Sequence, residues 1–120
     1  MSEPEKTVDW YQLGPVSAIP LRGARRVVIN EQTIGLFRTA TNRVYAIEDR
    51  CPHNNGPLSQ GIVHDNCVTC PLHNWVISLE NGEAQGADNG RVTVYPVSIE
   101  HGLLRVAIET RADAELAISD

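Results

Sequence analysis

The chain has 120 residues, 42% of them hydrophobic and 21% charged, a balance that allows one packed domain and excludes a disordered chain. Ten basic against fifteen acidic residues leave a net charge of -5, the wrong sign for a protein that works on phosphate backbones or anionic lipid. The start, "MSEPEKTVDW", lacks a charged, apolar leader, and no apolar run reaches membrane length. The expected compartment is therefore the cytoplasm, where clustered cysteines bind metal more often than they form disulfides.

In chain order, short alternating or β-branched runs recur, and helical periodicity is hard to find before the final stretch. The fold class is read as all-β. Strands are predicted at 8–13, 25–29, 33–38, 43–48, 61–63, 67–69, 75–80, 91–95, 97–100 and 103–108. In "WVISLE" Trp75, Ile77 and Leu79 share one face, and in "LLRVAI" Leu104, Val106 and Ile108 do the same, as half-buried strands require. Asn81-Gly82 and His101-Gly102 read as two-residue hairpin turns needing positive φ. Pro96 cannot donate to a ladder and belongs at an edge or a bulge. The glycine-rich segment 81–90 reads as a surface loop placed to cover something, and the tail 109–120 as a short helix or a frayed end.

All three cysteines and three of the four histidines fall within residues 50–75, "RCPHNNGPLSQGIVHDNCVTCPLHNW". Cys51-Pro52-His53 forms a C-x-H pair and Cys70-Pro71-Leu72-His73 a C-x-x-H pair, with residues 54–69 between them. Each pair follows a predicted strand, so two neighbouring loops can present four soft ligands to one site. A structural zinc would take two Cys and two His, but its usual grouping is a Cys pair followed by a His pair. Here each loop mixes the two. Mixed loops suit two metals side by side, each loop giving its Cys to one iron and its His to the other, as in a Rieske 2Fe-2S centre.

Replacing two thiolates by neutral imidazoles turns a dianionic core into a neutral one, which accepts an electron more readily. The potential accordingly rises to about -150 to +300 mV from about -400 mV in all-cysteine ferredoxins. Cys67 alternates with Thr69 along its strand and is read as a small buried hydrophobe, outside the ligand set. His64 and His101 read as turn residues.

"RVYAIEDRCPH" and "CPLHNW" together resemble the Rieske proteins from about residue 8 to residue 107. Within that family, "CPHNNGPLSQGIV", "CPLHNWVISLENGEA" and "VYPVSIEHG" are most similar to the small subunit of assimilatory NAD(P)H-dependent nitrite reductase. The resemblance implies a single Rieske domain over 1–108, with antiparallel sheets in a sandwich-like base and a small cluster-binding subdomain at about 49–78. It implies a Rieske-type 2Fe-2S cofactor, one iron held by Cys51 and Cys70 and the other by His53 and His73. It further implies an electron-transfer role in nitrate assimilation without a catalytic site of the chain's own. The partner would be a large flavin and sirohaem subunit that reduces nitrite to ammonia.

A free Rieske ferredoxin donating electrons to an aromatic-ring dioxygenase shares the ligands and much of the loop grammar, and a non-redox structural or zinc-binding module is the third alternative. The respiratory Rieske pattern has disulfide cysteines where Gly56 and Leu72 stand here, and cluster-directed Ser and Tyr donors where Trp75 and Ile77 stand. Fewer donors to sulfur leave the reduced centre less stabilised, so a potential near the low end of the Rieske range is expected. The ligand loops are nearly uncharged, which reads as a docking rim at the prolines and Leu72. Trp75 and Leu58 read as packing beneath the centre.

Overall fold

The computed structural model describes residues 6–52, 56–71, 74–86 and 90–111. Ten strands run in chain order as β1 (Lys6–Pro15), β2 (Gly23–Ile29), β3 (Gln32–Arg38), β4 (Val44–Glu48), β5 (Ile62–His64), β6 (Cys67–Thr69), β7 (Val76–Ser78), β8 (Val94–Tyr95), β9 (Val97–Glu100) and β10 (Leu103–Arg111). They form three sheets, ordered β1-β10-β9, β2-β3-β4-β8 and β5-β6-β7, with every strand pairing antiparallel. Each of the ten predicted runs is a strand, and the all-β reading holds.

The sheets stack because β3 and β4 are apolar on both faces. Ile34, Leu36 and Ala46 point to one side and join Leu104, Val106 and Ile108 of β10 in a first core. Phe37 and Ile47 point to the other side and join Val63, Val68 and Ile77 of the small third sheet in a second core. The sheet containing β3 is therefore the middle layer, which is why "TIGLF" reads as a continuous apolar run. Ile34, Phe37 and Ile47 are fully buried, each contributing roughly 1.5–3 kcal/mol over an exposed position.

Several boundaries move for identifiable reasons. The ladder of β10 continues past Ile108 to Arg111 because β1 offers partners as far as Lys6, so residues 109–111 are strand and not the start of a helical tail. Residues 112–120 of the tail lie outside the described residues. The run at 75–80 shortens to β7 because the Ser78 N–H turns to the Glu83 carbonyl and the Gly82 N–H to the Ser78 carbonyl.

Asn81-Gly82 is consequently not a two-residue hairpin: only Gly82 has positive φ, and the chain closes a wider turn there. His101-Gly102 is one, with φ of 53 and 78 at its two residues and Glu100 facing Leu103 across it. A second turn of this kind, Asn30-Glu31 between β2 and β3, has φ of 51 and 67, and glutamate in the second place hides it from a sequence reading. Pro96 is exposed between β8 and β9, where the chain leaves the middle sheet for the first and no ladder donor is needed.

Candidate metal centre

Both cysteine loops are closed by the same backbone device. After β4, the Cys51 N–H donates to the Gly56 carbonyl at 2.8 Å; after β6, the Cys70 N–H donates to the Trp75 carbonyl at 2.7 Å. Each bond spans the same number of residues, and a proline follows each cysteine. The sequence thus builds two equivalent loops at the tip of the second core. Cys51 and Cys70 are both fully buried in that one apolar cluster. His53 and His73 lie outside the described residues.

Other close approaches hold the tip together. A Cβ on Gly61 would run into the Thr69 carbonyl, so the end of the first loop lies directly against the strand that leads to the second. A Cβ on Gly90 would come within 2.8 Å of the Pro52 Cβ and 3.5 Å of the Trp75 Cζ3. The segment predicted to cover something therefore reaches both ligand loops at its end. It is also better paired than a free surface loop: Ile77 bridges Ala84 and Glu83 bridges Arg91.

At the root of the first loop the buried carboxylate of Asp49 accepts the Ser59 N–H at 2.7 Å and its hydroxyl at 2.6 Å. Neither Asp49 nor Gly90 stood out in the sequence. Their roles depend on segments that meet only after folding.

The remaining candidates fall where their surroundings send them. Cys67 is on β6 beside Val68, and Val68 faces the core, so the thiol points to the opposite face and is partly exposed. It is not the buried hydrophobe that alternation suggested, because the third sheet is covered on one face only. Burial first, then the carboxylates of Asp65 and Glu80, raise its pKa. His64 closes β5 with its Nε2 2.6 Å from the Thr69 hydroxyl, whereas His101 is exposed in its turn. Leu58 is fully buried and Trp75 packs against the second core, as expected of residues beneath the centre. Pro71 is exposed, as a docking rim requires, and Leu72 lies outside the described residues.

Two buried cysteines outside any disulfide, at the mouths of matched loops, fit a metal centre. Isolated thiolates would be costly in that apolar setting, and metal ligation offsets the cost. Among the described residues no three His, Cys, Asp or Glu side chains gather at a metal site, since two of the four predicted donors fall outside them.

Residues 9–107 match the family of Rieske-like 2Fe-2S domains. The chain belongs to that family. Its cofactor is accordingly a Rieske-type 2Fe-2S cluster, and Cys51 and Cys70 fit it as described residues can. This Rieske domain is 32% identical over 101 residues to the ferredoxin subunit of anthranilate 1,2-dioxygenase from Burkholderia cepacia, covering 83% of this chain and 93% of that one. It is 37% identical over 90 residues to the ferredoxin subunit of 3-phenylpropionate/cinnamic acid dioxygenase from Escherichia coli K12, covering 73% and 83% of the two chains.

Among solved structures it superposes with a TM-score of 0.78 on a protein from Mycobacterium tuberculosis described as the small subunit of an NADH-dependent nitrite reductase. The identity there is 23%, over 85% of this chain and 96% of that one. At that identity the likeness is one of fold. No helix among the described residues is long and apolar enough to cross a membrane.

Proposed function

We propose that this Rieske domain is a ferredoxin-type electron carrier that serves an aromatic-ring dioxygenase system. It would take single electrons from a reductase and deliver them to the oxygenase component. The observation that carries this reading is the identity of 32% with a ferredoxin subunit of which the chain covers 93%. When bound, the 2Fe-2S centre supplies a one-electron couple. Cys51 and Cys70 hold one iron and His53 and His73 the other, within a cluster-binding subdomain of about 49–78 in a single domain of about 1–108, and the carrier works in the cytoplasm.

The chain's own residues keep water from the thiolate side, since Cys51 and Cys70 are buried among Leu58, Val68 and Ile77. The exposed Pro71 and its uncharged neighbours let a partner approach with few charges to desolvate.

A second reading, the electron-transfer subunit of an assimilatory NAD(P)H nitrite reductase, is supported by the motifs "CPLHNWVISLENGEA" and "VYPVSIEHG" and by the superposition at TM-score 0.78. Its partner would be a large flavin and sirohaem subunit.

Low-temperature EPR of the dithionite-reduced, iron-loaded protein tests the site. A mixed nitrogen and sulfur environment is expected, with His73→Ala abolishing the signal and Cys67→Ala keeping it. Equal iron content in the two variants contradicts the ligand set. Affinity purification from the native cells then separates the partners: recovery with an oxygenase or its reductase supports the first reading, and stoichiometric recovery with a sirohaem flavoprotein overturns it in favour of the second.

A further inference from the structure

The second-core tip contains one carboxylate that electron carrying does not require. The Asp49 side chain is 0% exposed, and burying such a group is costly unless it is fully hydrogen-bonded. Both its oxygens accept from Ser59, Oδ1 from the N–H at 2.7 Å and Oδ2 from the hydroxyl at 2.6 Å. Arg26 of β2 brings its Nε to 3.6 Å from Oδ2 while its own side chain stays 58% exposed. The Asp49 N–H is fixed on the Thr33 carbonyl of β3 at 3.0 Å.

Asp49 stands at the start of the first ligand loop and Ser59 at its end, with Cys51 between them. A Cβ on Gly35 would lie 2.6 Å from the Phe37 ring and 3.6 Å from the Asp49 Cγ, so the bare glycine of β3 leaves room for both the aromatic ring and the carboxylate. Two residues of chain span at most about 7 Å, which bounds the separation of the Asp49 and Cys51 Cα atoms. Asp49 and Cys51 therefore share one short stretch of backbone, and a charge buried as fully as this one is little screened by solvent.

We propose that Asp49 is a positioning residue for the 2Fe-2S centre: its carboxylate latches the two ends of the first ligand loop together, and its buried negative charge holds the centre's potential down, partly offset by Arg26. The inference rests on Cys51 being a ligand. A buried anion opposes the arrival of an electron, and the exposed guanidinium favours it, so removing either charge moves the potential in a predictable direction.

The test uses the iron-loaded full chain and its variants Asp49→Asn, Ser59→Ala and Arg26→Gln. The first should raise the midpoint potential, release iron to a chelator several-fold faster and loosen hydrogen exchange at the Ser59 amide. Ser59→Ala should speed iron release as well, because the carboxylate then holds only the backbone N–H. Arg26→Gln, at a largely exposed position that tolerates change, should lower the potential and leave iron release unchanged.

An Asp49→Asn protein whose potential is unmoved, or an Arg26→Gln protein whose potential rises, overturns the proposal. Should Asp49→Asn fail to hold iron, the Arg26→Gln and Ser59→Ala results still decide it. A normal mixed-ligand EPR signal in the unmodified protein with unmoved potentials in the variants counts against Asp49 alone. Absence of that signal in the unmodified protein overturns the ligand reading itself.

Discussion

Cys67 sits next to a core residue and only three positions from Cys70, yet its thiol faces away from the cluster that buries Cys51 and Cys70. Burial, reinforced by the Asp65 and Glu80 carboxylates, raises its pKa, so less thiolate is present at neutral pH and alkylation slows. In the iron-loaded protein, iodoacetamide labelling of Cys67 followed by mass spectrometry should be slower than labelling of a free peptide cysteine. Removing both carboxylates, Asp65→Asn with Glu80→Gln, should speed it; an unchanged rate would contradict the electrostatic part of the account.

Two glycines separate conformational from steric cost at the same scale. Gly102 has φ of 78 and open space around a would-be Cβ, so Gly102→Ala should cost about 1 kcal/mol from the backbone alone. Gly61 has an ordinary φ of -84 but lies against the Thr69 carbonyl, so Gly61→Ala should cost about 2–3 kcal/mol by forcing the tip apart. Equal losses in chemical denaturation would show that the close approach at Gly61 relaxes freely.

At the scale of strands, β8 is only two residues long, and its attachment to β4 depends on one side chain as much as on the ladder. The Glu48 N–H donates to the Thr93 carbonyl at 2.8 Å, its Oε1 accepts the Thr93 N–H at 3.0 Å, and Arg50 reaches Oε2 at 2.9 Å. Burial pushes the Glu48 carboxyl upward, but the Thr93 N–H and then Arg50 outweigh it, and the net pKa is lowered.

A carboxylate whose folded pKa is depressed stabilises the fold in full above its unfolded value, roughly 4.3, and loses that contribution as pH falls through the lower folded value. Thermal melts from about pH 6 down to about pH 3 should therefore fall more steeply for the unmodified protein than for Glu48→Gln. Parallel curves would mean that the Thr93 and Arg50 contacts do not discriminate the charged form.

For the molecule as a whole, the second core is both a structural layer and, on the proposed ligand set, the floor of the centre. Ile77, fully buried, and Trp75 stand where the respiratory Rieske pattern has hydroxyl donors to the cluster, and none of the three cysteines is in a disulfide. Donors to sulfur stabilise the reduced state, so apolar side chains in their place should put the midpoint near the low end of the span of about -150 to +300 mV. The buried carboxylate of Asp49 acts in the same direction. Potentiometric titration should give a value below about 0 mV, and a clearly positive midpoint would show that other donors supply what these positions lack.

The order of the ten strands, the all-β class and the two cysteine loops were legible in the chain itself because they are local. Alternation marks a strand and His101-Gly102 a hairpin, each within a few residues, and the cysteine and proline pairs at 51–52 and 70–71 mark the two loops. The tertiary structure decided what depends on meeting partners. It extended β10 to Arg111 because β1 was there to pair, turned the Cys67 thiol outward because only one face of the third sheet is covered, and widened the turn at Asn81-Gly82. It also brought Asp49 to Ser59 and Gly90 to Pro52 and Trp75. Gly90 lies 38 residues from Pro52, and even the ten residues from Asp49 to Ser59 carry no periodicity that would announce their bond.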